Sequence, residues 1–196
     1  MNFICTLLAL SSFAFGGTWE IDSAHSAAKF KVRHLGISNV FGQITGFKGA
    51  LTTDDKDTAK FSTEVTLDIN TINTNDAKRD AHLKGDDFFN SAKFPTIGFK
   101  SKKVAKTGNA FSVTGELTMH GVTKEVTLEN FELTAPIKDP WGNTRRGLSA
   151  VLKVNRKEFG IIWNKTLDGG GLAVGDTVEV NIEAELLAPK TGTNKG

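Results

Sequence analysis

A period-two alternation of apolar and polar residues runs through this chain in segment after segment and leaves few folds open to it. Phe61, Val65 and Leu67 fall on one side of an extended chain, and the residues between them are mostly polar. The stretch AFSVTGELTMHG repeats the pattern. Because successive side chains of a strand point to opposite faces, each segment predicts a strand with one apolar face. Such strands belong to antiparallel sheets, since parallel sheets are covered on both faces.

Turn signals separate these segments, and the sequence predicts eight or more strands in a chain of 196 residues. That many antiparallel strands must stack or close to hide their edges, which predicts a sandwich or a barrel. Gly42, Gly46 and Gly49 lie within one strand segment, NVFGQITGFKGAL. Glycines inside a strand mark sharp bends, so this segment indicates a strand that bends around a barrel.

The stretch RDAHLKGDDFFNSAKFPTIGFKS interrupts the alternation and predicts a short amphipathic helix. Asn75 or Asp76 can cap its first turn, and Leu83, Phe88 and Phe89 can face inward before Pro95 forces an extended chain. A helix inserted between two strands of a closing sheet usually covers an open end. The fold expected from the residues is therefore mainly β, with one short α-helix that closes an end of the barrel.

The two ends of the chain differ in composition from the rest. Residues 1–16, MNFICTLLALSSFAFG, are uncharged and apolar and predict a signal peptide, with a buried strand or a short membrane anchor as alternatives. We therefore expect an exported protein, periplasmic or secreted, whose single cysteine, Cys5, is removed with that segment. Residues 17–188 form one predicted β-barrel domain, and the polar residues 189–196 predict a disordered tail.

Charge and motifs argue against several classes of function. The chain holds 24 Lys and Arg against 22 Asp and Glu, a net charge of +2, which does not predict a nucleic-acid partner. No spacing typical of a metal site or of a nucleophile elbow occurs, so we expect no metal and no enzyme. A late basic group is expected mostly on the solvent face: Arg145, Arg146, Lys153, Arg156 and Lys157.

Four segments carry a resemblance to a known family: WEIDSAHSAAKFKVRHLGISNVFGQITGFKGAL, INTNDAKRDAHLKGDDFFNSAKFPTIGFKS, VTGELTMHGVTKEVTL and DPWGNTRRG. Together they resemble the YceI-like family, periplasmic or secreted lipocalin-like proteins that bind polyisoprenoid and similar lipids. The likeness runs in order from about Trp19 to Leu186. It implies an extended, lipocalin-like antiparallel β-barrel closed at one end by an α-helix. It also implies an apolar tunnel for a long isoprenoid or fatty chain, and a homodimer.

The resemblance places family motifs on two parts of this chain. The motif of the first strand falls on Asp22, His25, Ser26, Phe30, Val32 and His34, and that of the helix on Arg79, Asp80, His82, Leu83, Asp87, Phe88 and Phe89. The candidates for an orienting head-group contact are His34, Arg79, His82 and Arg145. For Arg79 and His82, however, charge on the outer face of a capping helix favours a purely structural role over a head-group contact.

The function expected from the whole sequence is non-catalytic carriage or storage of a small amphiphilic lipid. The lipid is expected to have a long isoprenoid, quinone-like or fatty chain. We expect no further cofactor and no membrane-spanning segment. Burial of the chain alone can supply the affinity. Alternation in the strands, together with the inward face of the capping helix for Leu83 and Phe88, predicts this lining for the tunnel: Phe30, Val32, Phe47, Leu67, Ile69, Leu83, Phe88, Ile97, Phe99, Val113, Leu117, Val126, Leu152, Val154, Ile161, Val180 and Ile182.

Three other interpretations stay open at this point. An integral outer-membrane barrel alternates in the same way, with its apolar face turned outward. An enzyme could process a lipid pyrophosphate through Arg79 and His82. A stress-related structural protein of the periplasm could fill its barrel with its own side chains and bind no ligand.

Overall fold

The computed structural model describes residues 17–54, 57 and 60–189. The predicted signal peptide and most of the predicted tail lie outside these residues. Within them are one α-helix, α1 (Ala77–Lys84), and two 3-10 helices, Ile69–Thr71 and Arg156–Phe159. The strands of the described part are β1 (Gly17–His34), β2 (Ser38–Ile44), β3 (Phe47–Thr53), β4 (Phe61–Asp68), β5 (Thr96–Thr107), β6 (Ala110–Met119), β7 (Val122–Leu133), β8 (Ile137–Lys138), β9 (Thr144–Asn155) and β10 (Val174–Leu187).

Eight of these strands close into an antiparallel barrel in the order β1, β3, β4, β5, β6, β7, β9 and β10. The ring closes because β10 pairs with β9 on one edge and with β1 on the other. The two remaining strands add to it: β2 pairs with the second half of β1, and β8 with the start of β9. The predicted fold class is confirmed, and closure selects the barrel over the sandwich.

β2 and β3 together act as one long, bent strand along β1. Gly46 lies between them with φ of 68°, and Gly49 follows with φ of 135°. A side chain on Gly49 would collide with the backbone of Glu64 on β4. Glycine tolerates both the left-handed backbone and this close approach, which is why the strand bends here as the glycines predict.

The antiparallel order sends all connections with helices to one end of the barrel, called the helix end below. There β4 runs through the first 3-10 helix and α1 to β5, and β9 runs through the second 3-10 helix to β10. The predicted cap is confirmed: the Asp76 carboxylate accepts hydrogen bonds from the backbone N–H groups of Lys78 and Arg79, each at 3.0 Å. Among the described residues, no helix has the length and apolar character needed to cross a bilayer.

Apolar side chains fill the opposite end of the barrel, where β1 begins and β10 ends. Trp19, Val113 and Phe131 are almost fully buried there. The Phe61 ring stacks on Phe131 at 5.0 Å between centroids and meets Phe111 edge-on at 5.3 Å. These rings form a plug. The apolar faces of the strands point into the barrel, the reverse of the outward apolar face that a lipid-facing barrel requires.

Two members of the late basic group are buried, which corrects the expectation that they face solvent. Arg146 is 8% exposed, and its guanidinium lies 5.3 Å from the centroid of the Trp19 ring. It precedes Leu148 and Ala150 on the inward face of β9. Arg156 is 4% exposed because it belongs to the second 3-10 helix, outside the alternation of the strands.

Candidate binding cavity

An apolar cavity of about 200 Å³ lies in the barrel between the plug and the helix end. That space corresponds to on the order of fifteen water-sized groups, room for a substantial segment of a hydrocarbon chain. Its lining is apolar except for Thr63 and Arg156. The Thr63 hydroxyl donates to the carbonyl oxygen of Ala50 at 3.0 Å, so its proton is already engaged.

Most of the residues predicted to form the tunnel do line this cavity. They are Phe30, Val32, Phe47, Leu67, Leu83, Phe88, Ile97, Phe99, Leu117, Leu152, Val154, Ile161, Val180 and Ile182. Three predicted residues are elsewhere. Ile69 is buried in the first 3-10 helix, and Val113 packs in the core at zero exposure. Val126 packs against the core from β7, opposite Gly115.

Further residues line the cavity that the tunnel prediction did not include. Val65, Leu128 and Leu148 lie on the same apolar faces as predicted members, so alternation could have found them. The signal for Phe131, Val174 and Arg156 is weaker, because their depth in the barrel depends on the packing of distant strands. The set is Ile21, Ala28, Ile44, Thr63, Val65, Ile72, Phe89, Met119, Leu128, Phe131, Leu148, Arg156, Val174, Val178 and Ala184.

Two aromatic rings in the wall lie directly over glycines of the neighbouring strand. A Cβ atom at Gly42 would collide with the Phe30 ring, and one at Gly115 would collide with the Phe99 ring. Phe30 pairs with Gly42 across β1 and β2. Because these glycines leave room, the rings lie back against the wall and the interior stays open.

Leu83 of α1 and, in the segment after it, Phe88 and Phe89 close the cavity at the helix end. Behind them, His82 Nε2 and an Asp87 carboxylate oxygen lie 2.9 Å apart. The His82 ring meets Phe88 edge-on at 5.0 Å and Trp163 at 5.1 Å between centroids. His82 therefore supports the closing residues from outside the cavity.

Arg79 holds the entry to α1. Its Nε donates to the Thr74 hydroxyl and its Nη2 to the Thr74 carbonyl oxygen, each at 2.8 Å. The same Thr74 hydroxyl donates to Asp80 at 2.6 Å, and the Thr74 backbone N–H donates to Asp80 at 2.8 Å. These bonds tie the helix to the segment that follows the first 3-10 helix.

Arg156 ties the second helical connection together from the edge of the cavity. Its Nη1 donates to the carbonyl oxygens of Ile161 and Trp163 at 2.8 Å, and its Nε donates to that of Gly175 at 3.0 Å. Burial lowers the pKa of this guanidinium, and nearby Asp176 opposes that shift. Sequence reasoning missed this role because the basic run around Arg156 is typical of a solvated face.

Arg145 joins three strands and a loop on the outside of the barrel. Its Nη1 donates to Asp22 at 2.6 Å and to Glu185 at 2.9 Å, and its Nε donates to Asp139 at 2.8 Å. The Arg145 hydrogen bond, helped by His25, lowers the pKa of Asp22 to about 2. Burial alone would raise the pKa of Asp139, but hydrogen bonds led by that from Arg145 outweigh it and lower the pKa to about 2.

None of the four predicted head-group residues lines the cavity. His34 is partly buried at the end of β1, where it pairs with Val174 and Ser38. Arg79, His82 and Arg145 are engaged in the contacts described above. A ligand contact by any of these side chains stays a prediction.

One group of described residues has the ligand types of a metal site: Asp22, His25 and Glu185, whose nearest ligand atoms lie within 4.8 Å of one another. Arg145 Nη1 donates to both carboxylates of this group. His25 Nδ1 lies 2.8 Å from the Asp22 carboxylate. The guanidinium already supplies the positive charge that these oxygens attract, so the arrangement is an ion-pair network.

Comparisons with known proteins agree with this geometry. The model of the YceI-like domain matches residues 19–186. A UPF0312 protein of Yersinia pestis is 41% identical over 157 residues, which cover 79% of this chain and 81% of that one. The crystal structure of a Campylobacter jejuni YCEI protein superposes with a TM-score of 0.66 at 29% identity, covering 97% of this chain and all of that one.

A second solved structure shares the fold at low sequence identity. It is a polyisoprenoid binding domain from Saccharophagus degradans implicated in plant cell wall breakdown. The TM-score is 0.62 at 16% identity, over 87% of this chain and 98% of that one. At this identity, the superposition shows that the two proteins share the barrel fold.

Proposed function

Because the chain belongs to the YceI-like family, as the resemblance of its motifs predicts, we propose that it binds the apolar chain of a long isoprenoid or similar amphiphilic lipid inside the barrel, without catalysis. The observation that carries this proposal is the cavity itself. A barrel of eight strands is narrow enough to fill its own interior with side chains. Here a plug fills one end only, and an apolar space remains.

Burial of hydrocarbon supplies enough free energy for such a complex. Each CH₂ group moved from water into the cavity contributes about 0.8 kcal/mol, so a five-carbon prenyl unit contributes about 4 kcal/mol. Two or three buried units give roughly 8–12 kcal/mol before the cost of association, in the range of micromolar to nanomolar dissociation constants. Affinity then requires no specific polar contact.

The polar end of the ligand belongs outside the apolar lining. The two polar residues of the lining, Thr63 and Arg156, both donate to backbone carbonyl oxygens. A head group inside the cavity would therefore lose its hydrogen bonds to water without gaining these donors. The binding activity in the name of the Saccharophagus degradans domain supports an isoprenoid chain as ligand. A quinone-like or fatty-chain lipid meets the same physical requirement.

A pair of neighbouring substitutions tests the proposal. Leu117→Arg places a cation at the cavity wall, whereas Thr118→Arg places it on the exposed face of the same strand. Native mass spectrometry after incubation with geranylgeraniol should show the bound probe in the parent and in Thr118→Arg, and loss of it in Leu117→Arg. Circular dichroism should show that all three proteins are folded, with Leu152→Gln as a milder second variant.

Two results would contradict the proposal. A folded Leu117→Arg variant that still binds the probe would show that the ligand lies elsewhere. Release of phosphate from geranylgeranyl pyrophosphate, abolished by Arg79→Ala combined with His82→Ala, would favour a lipid-pyrophosphate-processing enzyme instead.

We also propose that the protein is exported and forms a homodimer. Export rests on the apolar, uncharged composition of residues 1–16, and the homodimer on the implied likeness to the family. N-terminal sequencing of the protein from a periplasmic fraction should begin near residue 17, and sedimentation velocity should give the mass of two chains. A cytoplasmic protein that still begins at residue 1 would refute export. A monomer at micromolar concentration would refute the homodimer.

A further inference from the structure

Large apolar side chains stand exposed at the helix end of the barrel. Ile37 is 77% exposed, Ile162 69% and Phe41 65%, and Leu172 and Leu35 follow at 42% and 37%. We call these five residues the apolar rim. Single exposed apolar side chains are ordinary, but a group of them at one end of a protein marks a surface that meets another apolar phase.

The apolar rim comes from two segments of the chain, the β1–β2 hairpin and the connection that leads to β10. Hydrogen bonds hold these two segments side by side. The backbone N–H of Leu35 donates to the carbonyl oxygen of Ala173 at 2.8 Å, and His34 pairs with Val174. Leu35, Ile37 and Phe41 belong to the β1–β2 hairpin. Ile162 and Leu172 belong to the connection that leads to β10. The hairpin tip and this connection therefore lie next to each other at the helix end.

The apolar rim directly adjoins the cavity. Val32, Ile161 and Val174 line the cavity, and each is only one to three residues from a rim residue in the chain. A partner that covers the rim therefore meets the same end of the barrel at which α1 and the second 3-10 helix close the interior.

Charge around the rim favours an anionic partner. The stretch HLGISNVFGQITGF, residues 34–47, holds no Asp, Glu, Lys or Arg. Arg33 precedes it and donates from Nε and Nη2 to the Gly36 carbonyl oxygen at 3.1 and 2.8 Å, which brings the guanidinium to the turn. The second segment, residues 160–173, holds Lys165 and the exposed carboxylate Asp168, so the two segments together carry two cations and one anion. Within the part of the chain that the structure describes, neither cation forms an ion pair with a carboxylate, whereas Lys31 nearby is paired with Glu179.

We infer that the apolar rim docks the helix end of this protein onto the surface of a bilayer that contains anionic phospholipid. The apolar tips enter the boundary between head groups and acyl chains, and Arg33 and Lys165 meet the phosphates. This interaction surface goes beyond the proposed function, because it names the phase that the barrel contacts and the end by which it does so. A lipid would then pass between bilayer and cavity without crossing open water.

Flotation with vesicles tests the inference on the purified protein. We expect binding to vesicles of phosphatidylethanolamine with phosphatidylglycerol, weaker binding to phosphatidylcholine alone, and a decrease as salt rises. Ile37→Asp combined with Ile162→Asp should weaken binding roughly tenfold or more, because both tips then carry a charge to the interface. Ile137→Asp combined with Trp141→Asp is the matched control, since these side chains are 63% and 81% exposed at the opposite end.

Charge substitutions separate the two contributions. Arg33→Gln combined with Lys165→Gln should reduce binding to the anionic vesicles and leave binding to phosphatidylcholine nearly unchanged. Failure of the parent to float with either vesicle would overturn the inference. Equal losses in the rim variant and in the Ile137→Asp, Trp141→Asp control would overturn it as well. The inference would also be overturned if the rim substitutions turned a dimer into a monomer and the parent did not bind vesicles. The rim would then be a protein interface.

The vesicle assay contains no isoprenoid ligand. Its failure would therefore leave the cavity proposal standing, and loss of probe in Leu117→Arg with normal flotation would confirm that the two surfaces act separately.

Discussion

Val180→Phe should reduce ligand capacity while leaving the barrel intact. Val180 lies near the middle of β10, where it pairs with Phe30 on β1 and with Leu152 on β9. All three side chains line the cavity. A larger side chain at this position projects into the space that the ligand chain would fill.

The size of the effect follows from the volume exchanged. Phenylalanine carries four more carbon atoms than valine, and the ligand must give up a comparable length of buried chain. At about 0.8 kcal/mol per CH₂ group, four carbons correspond to about 3 kcal/mol. Since about 1.4 kcal/mol changes a dissociation constant tenfold, the variant should bind roughly a hundredfold more weakly. Its free energy of unfolding without ligand should stay the same or rise, because the new ring fills empty space.

Titration with geranylgeraniol, followed by tryptophan fluorescence, measures this change. Trp163 is a suitable reporter because its ring lies 5.2 Å from that of Phe88, which closes the cavity. Asn181→Phe is the matched control: the same ring is added one residue later, on the exposed face of β10. Equal affinities for the two variants and the parent would refute the claim that the ligand occupies this cavity.

Three further predictions concern stability. The pKa of Asp22 is lowered from 3.8 to about 2. Its carboxylate should therefore contribute about 2 kcal/mol to the free energy of unfolding above about pH 4, and this contribution should be lost as pH falls through about 2. In chemical denaturation, Arg145→Met should remove most of this pH dependence. Gly49→Ala should lower the free energy of unfolding by about 2–4 kcal/mol, because the new Cβ atom meets the backbone of β4. Gly108→Ala is the control: Gly108 has φ of 63° but open space around it, so this change should cost about 1 kcal/mol. Arg156→Met should cost about 3 kcal/mol or more and speed hydrogen exchange across residues 161–175, because several buried carbonyl oxygens lose their donor.

Each of these predictions has a result that would contradict it. An unchanged acid denaturation profile in Arg145→Met would show that the ion-pair network does not set the pKa of Asp22. Equal stability of the two glycine variants would remove the case for a close approach at Gly49. Normal hydrogen exchange in Arg156→Met would mean that the connection to β10 is held by other contacts.

Alternation predicted the face of most residues but not their depth along the barrel axis. Val113 and Leu117 lie on the same face of β6, yet Val113 packs among the buried core residues and Leu117 lines the cavity. A period of two tells only that both point inward. Where the interior is filled and where it is hollow depends on rings such as Phe61 and Phe131, which come from distant strands.

The start of the helix and its cap could be predicted because both depend on neighbouring residues. The predicted extent was wrong, because the helix ends at Lys84 and Phe88 and Phe89 follow in turns. The partner of Arg79 depends on the path of the chain before the helix and proved to be Thr74. Arg145 shows the limit more clearly, since its partner Asp22 is 123 positions away in the sequence. The first-strand and DPWGNTRRG motifs meet at this pair, and only the closed sheet brings them together.

Native mass spectrometry of the protein purified from its own host, with extraction and identification of whatever it carries, tests the central claim most directly. A complex heavier than the chain by the mass of one long-chain lipid is the predicted result, and its occupancy should be reduced in Val180→Phe and unchanged in Asn181→Phe. A protein that carries nothing from its host and takes up no isoprenoid, quinone-like or fatty-chain lipid when these are supplied would contradict it.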